Sequence, residues 1–300
     1  MKRLMFLIVL ASVVFTSGCA ELVFVSKRDG HDQIYKMRTT GASQTNISNG
    51  VSWDHFPDVS PNGNKIVFSS SRGGGENIYI MDIDGSNVEP VTSGTLQRTS
   101  PRWSPMGLIA FAYPSYRPPT KIWIINSDGT GLQQVTNPGQ NESDDGGHDF
   151  YHGGKMIVFS RYNTTTNQRD LYSVYYDGSQ DFQQITDTPN ISEIGPVVSH
   201  DGNLLAYRIY YALNYAIRIV NVGTWTLVDE IVMQPPADKN IAGIDFSRDD
   251  SRLFVAIESS DVSGTFITDK VEIFSIGIDG SDQRRLTNNE VADSLSLIHI

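Results

Sequence analysis

One stretch constrains what this chain can fold into: Phe56 to Gly94, because the rest of the chain repeats it. It reads Pro57-Asp58-Val59-Ser60-Pro61, then an apolar run Ile66-Val67-Phe68, then Ser71-Arg72-Gly73. A second apolar run, Ile78-Tyr79-Ile80-Met81, leads to Asp84-Gly85 and closes on Val91-Thr92. Short β-rich runs punctuated by Gly, Pro and Asp predict strands joined by tight turns. An Asp-Gly pair between two such runs predicts a hairpin, since glycine tolerates the positive φ of the turn.

The Asp-Gly corner returns at Asp128-Gly129, Asp177-Gly178 and Asp279-Gly280, with Thr40-Gly41 upstream and a weaker copy at Asn221-Val222-Gly223. The closing pair returns as Ile47-Ser48, Val135-Thr136, Ile185-Thr186 and Leu286-Thr287, and degenerates at Ile231-Val232. From Gly41 to Gly85 to Gly129 the step is 44 residues each time. A period of about 40–45 residues with four strands per unit predicts a β-propeller. Six units fit, so the expected fold is all-β, a six-bladed propeller of four-stranded antiparallel blades. Radial repetition lets a chain of 300 residues fold as one body, each blade packing only on its neighbours.

At these residues the chain resembles the TolB-type propeller repeat, a WD-like blade. Pro101-Arg102-Trp103-Ser104-Pro105-Met106-Gly107 and Asp82-Ile83-Asp84-Gly85 match its pattern, and the repeat runs from 22 to about 293. The resemblance implies a periplasmic, usually non-catalytic interaction module. TolB carries an α/β domain ahead of its propeller, and the residues here leave no room for one. The resemblance is therefore to the repeat architecture.

Residues 1–20 read as an export signal: Met1-Lys2-Arg3 as the positive start, Leu4 to Phe15 as the apolar stretch, then Thr16-Ser17-Gly18. Twelve apolar or small residues are too few to span a bilayer permanently. Two cleavage readings compete. Ser17-Gly18-Cys19 resembles a bacterial lipobox that would lipidate Cys19, although Thr16 stands where Leu is usual. Gly18-Cys19-Ala20 would instead release a soluble protein starting at Glu21. The lone cysteine at that position favours lipidation and rules out an internal disulfide framework. The expected location is the bacterial periplasm or outer membrane, with the membrane contacted only through Cys19. Net charge is −11, and 21 basic against 34 acidic residues remain once Lys2 and Arg3 leave with the signal. That balance argues against nucleic acid and anionic membrane surfaces as partners.

Candidate binding residues follow from the repeat. The first strand of each blade should line the axial channel, and closed β architectures bind ligands at concave mouths. The loops entering that strand bring Asp54, His55, Arg98, Asp144, Asp145, His148 and Glu193 to one face, with Thr99, Asn240 and Asp293. Arg28, His31, Arg72, Arg117 and Arg161 join from the other loop set, while His152 and His200 map to the opposite face. Mixed charge at a channel mouth suits a polar ligand or a peptide strand, and ordinary solvation accounts for most single members. No H-x-H or H-E-x-x-H spacing occurs, so neither a metal nor another cofactor is expected. The Asp82–Gly85 run lacks the further ligands of a calcium loop. Gly-x-Ser-x-Gly and a Gly-rich phosphate cradle are also absent.

The expected function is thus non-catalytic binding of an envelope protein or peptide, or of an envelope polysaccharide. Two alternatives stay open. One is a carbohydrate-active lyase or hydrolase with a channel-mouth metal, since a pectate-fragment lyase on a related propeller uses several channel histidines. The other is the propeller of a prolyl-oligopeptidase-type peptidase whose catalytic domain lies beyond residue 300. A final expectation concerns closure. The first unit starts at Leu22 on its second strand, so the chain's end should supply the missing first strand. Residues 294–300 match the repeat poorly and look like a non-native or truncated end, yet Leu295, Leu297 and Ile298 can pair beside Leu22–Ser26.

Overall fold

The computed structural model describes residues 21–115, 118–177, 179, 181–211, 214–232, 240–260, 266–288 and 293–299. Residues 1–20, which include the expected signal and Cys19, and Arg117 lie outside these residues. Six four-stranded antiparallel sheets form, and among the described residues there is no helix. The inner strands touch their neighbours in cyclic order, which closes the ring.

The ring closes as the two ends of the repeat require. Asp293–His299 pairs antiparallel with Glu21–Ser26, with Ser26 opposite Asp293 and Val23 opposite Ile298. Blade 1 therefore takes its inner strand from the chain's end and its other strands from the start, which removes an open edge.

Each blade is held by devices that the repeat carries in its sequence. The aromatic slot of the second strand places Phe24, Phe68, Phe111 and Phe159 at full burial between blades. Burying each stabilises by roughly 1.5–3 kcal/mol. The closing Ser or Thr acts as a clamp. Ser48, Thr92, Thr136, Thr186 and Thr287 each accept the backbone N–H of the third strand, from Ile34, Ile78, Ile122, Leu171 and Ile273. The corner glycines do more than turn the chain. A Cβ on Gly85 would collide with the Ile47 carbonyl of the preceding blade, and one on Gly41 with that of Leu286. Both also have positive φ, so the corner needs glycine for two reasons.

The inner strands share a further irregularity. Phe56, Ser100, Gly147 and Gly195, each just before the motif's Pro or its substitute, have positive φ and mark a break in register with the second strand. A β-bulge bends a strand and re-aims its side chains. In blades 2, 3 and 4 the residue after that Pro or its substitute, Asp58, Arg102 or Asp149, lines the channel.

Candidate functional site

The channel has two chemically different ends. The inner strands all run from an entry end, where the predicted residues stand, to an exit end.

At the entry end, charged groups are tied up with one another, mostly within a blade. Arg72 donates to Asp54 Oδ2 at 2.6 Å and to Ser70 Oγ, while its guanidinium lies over Phe68 and Tyr79. Blade 4 repeats the latch as a two-point pair, Arg161 Nε and Nη2 to Asp145 at 2.7 and 2.9 Å. Blade 1 repeats it as Arg28 Nη2 to Asp293 at 3.1 Å. These latches staple the end of the second strand, or the turn just after it, to the first strand. His55 bridges Asp32 and Glu76. Burial pulls its pKa down, but hydrogen bonds to Asp32 and then Glu76 outweigh that and hold the ring protonated up to about 9. Arg98 lies over the Tyr113 ring, 4.4 Å from its centre, and donates to Asn77 Oδ1.

Of the seven predicted residues, Asp54, Asp145, His148 and Glu193 are buried, and His55, Arg98 and Asp144 are partly accessible. Glu193 takes a hydrogen bond from Thr186 Oγ1, and burial pushes its carboxyl up to about 7. His148 is 3% exposed, neither ring nitrogen meets hydrogen-bond geometry, and burial pulls its pKa down to about 4. It is a neutral part of the channel wall. His31 bonds the Gly50 carbonyl, so the three entry-side histidines stand in three separate settings. Among the described residues no three His, Cys, Asp or Glu side chains are grouped to hold a metal.

At the exit end lies a cavity of about 390 Å³ lined from blades 2 to 6. Its charged lining is Asp58, Arg102, Asp149, Asp245, His200 and Arg248; its apolar lining includes Val59, Pro61, Trp103, Pro105, Phe150 and Val198. The bulges explain the arrangement. Asp58, Arg102, Asp149 and Asp245 occupy one slot of the motif, the residue after Pro or its substitute, in blades 2, 3, 4 and 6.

The carboxylates satisfy backbone N–H groups on the channel edge of the inner strands. Asp58 accepts from Trp103 N of the next blade. Asp149 accepts from its own Phe150 N and from Val198 N of the next blade, both at 2.8 Å. Asp245 accepts from Phe246 N through Oδ1, while its Oδ2 makes no hydrogen bond. Arg102 sits among the three, with Nη1 3.3 Å from Asp58 and 3.5 Å from Asp245. One guanidinium thus faces three carboxylates. Burial pushes Asp58 and Asp245 up to about 7 against the opposing pull of Arg102, and burial raises Asp149 as well. Arg102 stays protonated, because Asp58, Asp245 and Asp149 outweigh the effect of its own burial. Chemically, this end can take a cationic or hydrogen-bond-donating group against apolar walls.

Sequence reasoning missed this cluster. The signal was present, since one motif slot carries Asp, Arg, Asp and Asp in four blades and Val197 in blade 5. Reading the slot down the blades, instead of along each one, exposes it.

Residues 9–185 match the family model described as the TolB beta propeller domain. No curated protein matches the chain in sequence. Among solved structures it is similar to TolB from Acinetobacter baumannii, with TM-score 0.73 and 15% identity over 93% of this chain. It spans 66% of that protein, just under two thirds. It is also similar to a putative TolB from Agrobacterium tumefaciens, with TM-score 0.63, 17% identity and coverage of 92% and 90% of the two chains. An oligogalacturonate lyase from Vibrio parahaemolyticus is similar at TM-score 0.55 and 11% identity, covering 91% and 85%. At such identities these likenesses concern the fold.

Proposed function

The chain belongs to the TolB β-propeller family, and from that premise we propose that it is a non-catalytic binding module of the bacterial envelope. It is exported by residues 1–20, held at the membrane through Cys19, and receives a protein or peptide partner at its channel. The observation that carries this reading is the exit-end cavity. Five blades contribute to its wall, its carboxylates are fixed by backbone amides, and one arginine leaves their charge incompletely matched. A fixed concave site with a few convergent polar groups among apolar walls suits recognition of a partner's basic or amide-bearing side chain. The accessible entry-side residues His55, Arg98 and Asp144 form a second, more exposed contact zone on this reading.

The test is site-directed photo-crosslinking in intact cells, with the crosslinker at Arg248 on the cavity rim and, separately, at Arg98 on the entry face. A discrete partner protein trapped from position 248, and lost when Asp58→Asn and Asp245→Asn are combined, supports the reading. Trapping only from position 98 moves the site to the entry face. Replacing Cys19 with Ala should release the protein from the membrane fraction, and unchanged fractionation would refute the anchor.

The lyase alternative requires a metal at the channel mouth. The placement of His31, His55 and His148 in three unconnected settings does not favour it.

A further inference from the structure

The outer rim of blade 5 differs from the other five. Elsewhere the outermost strand is two or three residues long: Thr45–Asn46, Glu89–Pro90, Gln133–Gln134, Phe182–Gln184 and Arg284–Arg285. In blade 5 it is Leu227–Val232, six residues. The clamp explains the difference. In the other blades a Ser or Thr hydroxyl takes the third-strand N–H and ends the ladder there. Val232 occupies that slot in blade 5 and has no hydroxyl, so main-chain pairing runs on through Ile217 with Ile231 and Ala216 with Val232.

The longer strand is also apolar where it meets water. Leu227, Val228 and Val232 are 59%, 47% and 44% exposed. Three of the nine exposed large apolar side chains among the described residues therefore fall on this one strand. The backbone N–H of Glu230 donates to the Asp229 carboxylate at 2.7 Å, so it points away from the third strand and is satisfied only locally. An irregularity at Val228 interrupts the register with Val220, leaving Asp229–Val232 as the regular part of the edge. Natural sheets usually blunt such edges, because an unpaired row of N–H and C=O groups templates another strand.

We propose that the outer edge of blade 5 is a β-augmentation site for an extended segment of a different polypeptide, one carrying a basic residue opposite Asp229 with apolar neighbours. Backbone hydrogen bonds give such addition its affinity and alternate side chains its selectivity. Charge decides the occupant. A second copy pairing antiparallel about the strand's centre would set Asp229 against Glu230, and directly opposed like charges destabilise a strand pair. Two copies would also each bring a net charge of −11. Glu230 is already matched by Arg218 at 2.7 Å, whereas Asp229 spends its carboxylate on a backbone amide that an incoming carbonyl can replace. This site is independent of the channel reading and stands or falls separately.

The probe is a capped hexapeptide, threonine–valine–lysine–valine–arginine–threonine, added to the exported chain while amide exchange is followed by NMR. At saturating peptide, exchange at Glu230 and Val232 should slow about tenfold or more, a pairing free energy of about 1.4 kcal/mol. A peptide N-methylated at alternate residues, unable to donate along one edge, should not bind. Asp229→Lys should weaken the basic hexapeptide about tenfold. Val232→Thr restores the hydroxyl clamp and should weaken it as well, with Tm confirming that both variants fold. Protection elsewhere, no protection at all, or equal binding of the N-methylated peptide overturns the proposal. So does protection of 227–232 that rises with protein concentration alone, which would make the occupant a second copy.

Discussion

The two ends of the channel solve the same problem in opposite ways. Both bury carboxylates where strands converge. At the entry end each latch stays within its blade: Asp54 has Arg72, Asp293 has Arg28, and Asp145 has Arg161, which also reaches Glu142 at 3.0 Å; each guanidinium also lies over aromatic rings of its own blade. At the exit end three carboxylates from three blades share Arg102. Each entry latch therefore supplies a buried carboxylate with an arginine of its own blade. The exit cluster is under-neutralised and belongs to the ring as a whole. A site completed within one blade stabilises that blade, whereas one left short of positive charge is poised for a ligand that supplies it.

Removing the shared cation should break the comparison most sharply. Arg102→Met leaves Asp58, Asp149 and Asp245 without their guanidinium, and stripping a buried charge of its partner costs about 3–5 kcal/mol. Urea unfolding at pH 8 should show that loss. At pH 5.5 it should shrink, because the raised carboxyls can then take up protons. An equal loss at both pH values would mean that the carboxylates are not what Arg102 supports. Arg72→Met is the matching change at the entry end. It strands one buried carboxylate and removes a ring contact, so a smaller loss of about 2–3 kcal/mol is expected. A loss as large as that of Arg102→Met would erase the distinction between the ends.

How much of this was legible in the sequence depends on whether a residue's role is local. The corner Asp-Gly, the Ser-x-Arg turn and the closing Thr act within or next to their own blade, so periodicity displayed them directly. The closure was legible too, because Leu22 begins on a second strand and some other segment had to complete that blade. What the repeat hid was the partner that each charge meets in the fold. Asp54 and Asp145 looked like free charges before a strand, but the latch arginine lies 16 to 18 residues downstream and folds back onto them. Asp58 and Asp149 act on backbone amides 45 and 49 residues away, a contact that exists only once neighbouring blades pack together. His148 gave no signal of burial, since it replaces a proline in a motif otherwise rich in polar residues.

Titration sets the buried carboxyls of the channel wall against its buried imidazole. Asp58, Asp245 and Glu193 have folded values of about 7, above their unfolded values. Their contribution is fully present below the unfolded values and is lost as pH rises through about 7. His148 has the opposite sign. Its folded value of about 4 lies below the unfolded one, so its contribution is present above pH 6.5 and is lost as pH falls through about 4. Between about pH 4.5 and 6.5 the two effects oppose one another, and three carboxyls against one imidazole make stability fall as pH rises through that range. Asp245→Asn should raise stability at pH 8 by on the order of 1–2 kcal/mol and leave it nearly unchanged at pH 5. His148→Gln should instead steepen the fall between about pH 4.5 and 6.5. If Asp245→Asn is less stable at pH 8, the ionised carboxylate is a net stabiliser, and the exit cluster is as well matched as the entry latches.

The smallest expected effect is at Arg98, and it tests where the partner docks. Arg98 is partly accessible on the entry face, lies over Tyr113, and donates to the buried Asn77 and to the Leu96 carbonyl. Exposed contacts of this kind are worth about 0.5–1 kcal/mol, so Arg98→Glu should lower Tm only slightly. The substitution leaves Asp58, Arg102, Asp149 and Asp245, and the amides that the carboxylates satisfy, untouched. If the exit cavity is the docking site, crosslinking from position 248 should keep its yield in the Arg98→Glu background. A large drop in that yield at an unchanged Tm would mean that the partner reads the entry face first, and that the unmatched carboxylates around Arg102 serve the ring's own closure.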